Sequence, residues 1–186
     1  MAAPADKTTK DLNGKWLLNM ELSGSADAAL ALQGIGYLIR TAIGLAFITI
    51  DISQYDAPPK PPSTAEGTVA HIDIEQSASG LTSTRELRCL DDMPREHTDW
   101  LFGTVRGQTR WVALADVDDE YLGSGWDAAE GKAFILSHVV SQGNGWTATQ
   151  VWGFQTVGGE RRHCRNILVQ KDGQRVEFRL VYDFLD

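Results

Sequence analysis

The sequence predicts an all-β protein, a single closed antiparallel β-barrel of about ten strands with a short helical pair after the first strand. Three observations predict it. From Glu66 to Phe184 the chain runs through short segments in which apolar and polar residues alternate. These segments are broken at Ser79-Gly80, Arg106-Gly107, Gly143-Asn144-Gly145, Gly158-Gly159 and Asp172-Gly173, pairs that supply the positive φ of tight hairpin turns. Helical spacing of apolar residues is confined to one stretch near the start. A meander of hairpins hides its edges by closing on itself, and small closed barrels commonly hold one small ligand.

Residues 1–10 are small and polar and read as a flexible tail; residues 11–186 read as one barrel domain. Asn13-Gly14-Lys15-Trp16 opens a first strand over 15–22, with Trp16, Leu18, Met20 and Leu22 on one face by the period of two. Ser25-Ala26-Asp27 offers capping groups for the helical region that follows. Gly34 and Gly36 divide that region into two short helices or one kinked helix. β-Branched Ile48, Thr49, Ile50 and Ile52 return the chain to strand over 47–55, and Pro58-Pro59 and Pro61-Pro62 make 56–66 an exposed loop. Further strands are expected at 68–77, 81–90, 97–105, 108–115, 132–141, 146–156, 161–171 and 174–184, with a longer acidic connection over 116–131 that contains Trp126.

With 186 residues, 42% of them apolar and 23% charged, the chain can bury one substantial core. A net charge of −8 argues against nucleic acid as a partner, because a phosphate backbone needs a basic face. Cys89 and Cys164 are too few for a disulfide scaffold and read as buried thiols. Neither an apolar signal segment nor a membrane span is legible, so a cytoplasmic location is expected. No nucleophile elbow, phosphate loop or dinucleotide fingerprint is present. His71, His97, His138 and His163 are scattered, and Asp116, Asp118, Asp119 and Glu120 lack the spacing of a calcium loop, so no metal and no cofactor are expected. A haem held by a single histidine is the alternative left open.

Gly14-Lys15-Trp16 resembles the Gly-x-Trp signature on the first strand of lipocalins, and the order strand, helical pair, meander is similar to intracellular fatty-acid-binding proteins. Both belong to the calycin superfamily, and the resemblance implies that Trp16 packs at the closed end of the barrel. The fatty-acid-binding proteins carry Arg-x-Tyr on their last strand to grip a carboxylate. Here Arg179 and Tyr182 face opposite sides of a regular strand, a departure from that pattern. The stretch Arg95-Glu96-His97-Thr98-Asp99-Trp100-Leu101-Phe102-Gly103, followed by Arg106-Gly107-Gln108-Thr109-Arg110-Trp111, resembles fungal proteins with lipocalin-like barrels. Proteins of that kind include natural-product cyclases that fold reactive polyenes or quinone methides for hetero-Diels–Alder cycloaddition. The resemblance implies a cofactor-independent pericyclase.

Strand faces nominate the site. Val176, Phe178, Leu180, Tyr182 and Phe184 form the apolar face of the last strand. Trp146, Ala148, Gln150, Trp152 and Phe154 form that of 146–156. Phe134, Leu136, His138 and Val140 share a face, as do Trp100, Phe102 and Thr104. On 161–171 the two faces are close to equal, and the one carrying Arg162, Cys164, Asn166 and Leu168 is expected to point inward. A polar group in an apolar wall costs a few kcal/mol unless it is paired, and a ligand can supply the pair. Gln150, His138, Asn166 and Tyr182 are therefore the expected catalytic donors. Trp100, Phe102, Phe134, Trp146, Trp152 and Phe178, with Met20 and Tyr37, are the expected walls of a hydrophobic pocket. The partner so implied is a hydrophobic small molecule, cyclised through orientation and hydrogen bonding. The alternative is a non-catalytic carrier that needs the same walls and no donor.

Overall fold

Alternating sequence builds a single ten-stranded antiparallel sheet, seen in a computed structural model that describes residues 1–80, 82–127 and 133–185. In chain order the elements are β1 (Gly14–Leu18), α1 (Asp27–Leu32), α2 (Tyr37–Leu45), β2 (Ile48–Ala57), β3 (Val69–Ala78), β4 (Thr82–Cys89), β5 (Arg95–Asp99), β6 (Gly103–Val112), a short 3-10 turn at Leu114–Asp116, β7 (Phe134–Ser141), β8 (Thr147–Val157), β9 (Glu160–Lys171) and β10 (Gln174–Phe184). The expected strand starts Leu81 and Lys132 lie outside the described residues. The sheet order is β4-β3-β2-β1-β10-β9-β8-β7-β6-β5, so the last strand lies beside the first and every other ladder joins strands consecutive in sequence.

The turns carry the backbone their residues permit. Ser79 and Gly80 stand at φ 51° and 69°, Gly158 and Gly159 at 63° and 80°, and Asp172 and Gly173 at 50° and 76°. The expected turn at Arg106-Gly107 is not one. The β5–β6 hairpin instead turns at Trp100-Leu101-Phe102, where Asp99 Oδ1 accepts from the amides of Leu101 and Phe102 at 2.8 and 2.7 Å. Gly107 lies inside β6 facing the interior, where an added Cβ would touch the Val139 methyl at 3.4 Å.

The barrel is not fully closed, contrary to expectation. Its order runs from β4 to β5 with no ladder joining them. The connection between these strands occupies the gap: Asp92 at φ 59° donates its amide to Thr109 O at 3.0 Å. The rest of the seam is bridged by a side chain, Arg88, whose Nη1 donates to Ser137 Oγ at 2.6 Å and to Thr109 Oγ1 at 3.3 Å.

Trp16 sits where the family resemblance puts it. It is fully buried, donates Nε1 to Leu12 O at 2.9 Å, and packs against Phe154, His163 and Phe184. Residues 1–10 do not trail away as a flexible tail. The Ala3 amide donates to Arg161 O at 2.7 Å, Thr9 Oγ1 to Ala133 O at 2.8 Å, and the Arg161 guanidinium to the carbonyls of Pro4 and Lys7. At the other end α1 and α2 cover the mouth. Ala29 is buried against Val105, Trp146, Ala148 and Ile167, and Asn144 Nδ2 fastens the helical pair by donating to Gln33 O at 2.7 Å. Strand β1 stops at Leu18, so Met20 is exposed and Leu22 packs outside the barrel with Val157, Cys164 and Val181.

A second apolar layer covers the outer face of β6–β9. Leu114, Val117, Tyr121, Leu122 and Trp126 lie over Val112, Phe134, Leu136, Val151 and Leu168. Gly153 is the close approach beneath it, since a Cβ there would meet the Phe134 ring at 2.7 Å and Trp126 at 3.0 Å. Among the described residues no helix is long and apolar enough to cross a membrane.

Two expectations follow. Gly153→Ala forces rings that are already packed, and equilibrium urea unfolding should show a loss of about 1–3 kcal/mol with the m-value unchanged. His163 donates Nδ1–H to Gly153 O at 3.1 Å and is fully buried; burial, helped by the nearby Arg165, pushes its pKa down to about 3. The unfolded chain takes up this proton near pH 6.5 and the folded chain does so only near pH 3, so stability should fall as pH drops across that window. The slope from this residue is at most about 1.4 kcal/mol per pH unit. His163→Phe should flatten that part of a stability-versus-pH curve measured by denaturant titration.

Candidate active site

Register stacks the inward side chains in belts across the sheet. Nearest the closed end, Phe154, His163 and Tyr182 align with Leu18. The next belt runs Trp111, Ile135, Trp152, Arg165, Leu180; the next Thr109, Ser137, Gln150, Ile167, Phe178; the last, toward the helices, Gly107, Val139, Ala148, Val169, Val176. Gln150, Phe178, Leu180 and Val176 face inward yet keep partial exposure.

Arg165 dominates this interior. It is 6% exposed, its guanidinium lies 3.9 Å from the centroid of the Trp152 ring and 5.2 Å from that of Tyr182, and its Nε and Nη2 have no hydrogen-bond partner among the described residues. Stacking on an indole stabilises a desolvated cation but leaves its in-plane N–H groups unsatisfied. Trp152 in turn donates Nε1 to Gln150 Oε1 at 2.9 Å, which leaves the Gln150 Nε2 amide as a donor. Arg88 reaches from β4 to within 5.0 Å of the Trp152 ring centroid and is held by Glu86 at 2.7 Å. Burial pushes the Glu86 carboxyl up, but Arg88 and Arg165 outweigh it, so Glu86 is held below the usual carboxylate range. Burial raises the Tyr182 phenol and keeps it protonated.

The nominated residues divide by strand face. Gln150, Tyr182, Trp146, Trp152 and Phe178 face the interior, and Phe102 packs edge-on to Trp146 at 5.7 Å. Asn166 does not. The inward face of β9 carries His163, Arg165, Ile167 and Val169, the reverse of the expected face. Asn166 lies outside, donating to Tyr121 O and Ser124 O at 3.1 and 3.0 Å and accepting from Gln155 at 3.1 Å. The physical reason is the apolar loop layer, which makes the outer face of β9 as buried as the inner one. The same layer misplaces β7: Phe134 and His138 do share a face, but it is the outer one, where Phe134 packs on Trp126 and His138 Nδ1 meets Thr149 Oγ1 at 2.8 Å. Trp100 is 66% exposed at the β5–β6 turn, Tyr37 is 70% exposed on α2, and Met20 is 48% exposed, so none of the three lines the interior.

Arg165, Arg88 and Glu86 were not nominated. The signal for Arg165 was its belt-mate Trp152, a cation and an indole placed opposite each other by pairing of 146–156 with 161–171. A cleft of about 530 Å³ also lies beside the N-terminal segment, lined in part by Gln54, Asp56, Leu90 and Trp111. Its inward polar group, Gln54, is already committed to Leu12 and Thr9, whereas Arg165 Nε and Nη2 and Trp146 Nε1 have no partner among the described residues.

No family model matches the chain. Among solved structures it is similar to the REP1-NXSQ fatty acid transporter, with TM-score 0.55 and 14% identity over 94% of this chain and 96% of that one. It is also similar to fatty-acid-binding protein 1 of Echinococcus granulosus, with TM-score 0.54 and 10% identity over 94% and 98%. These likenesses establish the calycin-type fold. Among curated proteins it is 28% identical to pericyclase pydY of Acremonium sp, covering 100% of this chain and 97% of the relative. It is 34% identical to the probable pericyclase scpY of Mollisia scopiformis, over 99% of this chain and 95% of that one. At that identity over nearly the whole of both chains, the protein belongs to this pericyclase family.

Proposed function

We propose that the protein is a cofactor-independent pericyclase that takes a hydrophobic natural-product intermediate into its barrel and promotes a cycloaddition of hetero-Diels–Alder type. The observation that carries this reading is Arg165, a buried guanidinium with two unsatisfied N–H groups resting on Trp152. A pericyclic step needs no nucleophile and no net proton transfer. It needs the reacting termini held close, which lowers the entropic part of the barrier, and a donor that withdraws electron density from one partner as charge shifts in the transition state. Trp152, Trp146 and Phe178 supply flat apolar walls; the Tyr182 phenol, Arg165 and the Gln150 amide supply donors on three successive belts. Entry is by the mouth under α1 and α2. Free thiols at Cys89 and Cys164 fit a cytoplasmic setting.

The test is conversion of the substrate that pydY cyclises. Wild-type protein should yield a product isomeric with that substrate, with no added cofactor. Arg165→Met should lower kcat about 100-fold, since the donor acts on transition-state charge. Gln150→Ala should lower it about tenfold, as one neutral hydrogen bond would. Recovery of the substrate bound but unchanged would favour the carrier, and a wild-type rate in Arg165→Met would remove the assigned donor.

A further inference from the structure

We infer that the ligand held at Arg165 carries a planar two-oxygen anion conjugated to its π-system, a carboxylate or the enolate of a 1,3-dicarbonyl. This rests on the barrel interior being the substrate site. The two orphaned atoms of Arg165 are Nε and Nη2, whose N–H bonds run parallel along one edge of the guanidinium. That edge is the fork that matches two coplanar oxygens. A neutral ketone or ester offers one carbonyl oxygen to it and leaves the second buried N–H and the whole charge uncompensated. The guanidinium carbon lies 3.9 Å from the centroid of the Trp152 ring, so an anion paired with the fork would be held beside the indole.

Charge around the site points the same way. The chain as a whole is at −8, yet the belts around Trp152 hold Arg88 and Arg165 against one carboxylate, Glu86. Glu86 is already bound by Arg88 through Nε and Nη2 at 3.1 and 2.7 Å, and Arg88 Nη1 is taken by Ser137 and Thr109. The other ionisable groups on the neighbouring inward faces have their own partners: Arg95 pairs with Asp91 at 2.7 Å and His97 with Asp99 at 3.6 Å. Among the described residues one positive charge at mid-depth thus lacks a counter-ion of its own, and a monoanionic head group supplies it.

The experiment is a fluorescence titration of the full chain with two polyene probes of equal length, trans-parinarate and its methyl ester. Wild-type protein should bind the anion at least tenfold more tightly than the ester. Arg165→Met should abolish that preference while leaving ester affinity within about twofold, as expected when only a charged hydrogen bond is lost. Glu86→Gln, which removes the competing carboxylate, should tighten parinarate several-fold and leave the ester unchanged; a purely structural Glu86 would produce no gain. The Glu86 variant keeps the test decisive if Arg165→Met fails to fold. Displacement of parinarate by sorbate and by 2-acetyl-1,3-cyclohexanedione, both anionic at neutral pH, then tells a carboxylate from an enolate by which competes at lower concentration. Equal affinity for acid and ester overturns the anion assignment and leaves the interior as the binding site. Binding of neither probe overturns both.

Discussion

The ladder between β8 and β9 sets Trp152 opposite Arg165, and much of the molecule depends on that pair. Strand side chains alternate, so the register that turns Arg165 inward also turns Asn166 outward. Inside, the guanidinium lies 3.9 Å from the centroid of an indole ring. Outside, Asn166 organises the loop that covers the sheet, accepting from Gln155, which in turn accepts from Arg179 at 2.9 Å. One ladder thus specifies both the chemistry of the interior and the packing of the exterior.

A desolvated cation limits how the rest of the barrel can be built. Water cannot serve it freely, so its surroundings must contain compensating charge or a face that tolerates it. Trp152 and Tyr182 provide the face. Glu86 provides charge, but it comes from β4, on the far side of the seam that no ladder closes. That seam is spanned by Arg88, which reaches Thr109 on β6 and Ser137 on β7, so the same cluster that surrounds Arg165 also ties the edge strand β4 to the wall opposite it.

The two ends of the barrel differ for a related reason. At the closed end Trp16, Phe154, His163 and Tyr182 pack ring to ring, and the N-terminal segment completes the floor. Neutral His163 marks how dry that floor is, since burial holds its pKa far below that of a free imidazole. Toward the helices the small side chains Val139, Ala148 and Val176 alternate with the rings of Trp146, Phe102 and Phe178.

The fold was largely legible in the sequence because it is local. Hairpins need only alternation and a turn that accepts positive φ, and Ser79-Gly80, Gly158-Gly159 and Asp172-Gly173 state both. Where one residue type serves two purposes the reading failed: Gly107 signals a turn by composition but sits in a strand, paired with Val139 in the β6–β7 ladder. Half of the site was legible for the same local reason. Gln150, Trp152, Phe178 and Tyr182 lie on strands whose two faces differ in polarity, so their direction follows from period alone. Asn166, His138 and Phe134 were misdirected because the loop carrying Leu122 and Trp126 buries the outer face as well, and a strand buried on both faces has no polarity to read. Sequence alone therefore determined a meander with a helical cap and an aromatic interior. Only the tertiary structure decided which face of β7 and β9 looks inward, and with it that the interior is built around an unpaired guanidinium, because that choice is made by a layer distant in sequence and not by the strands themselves.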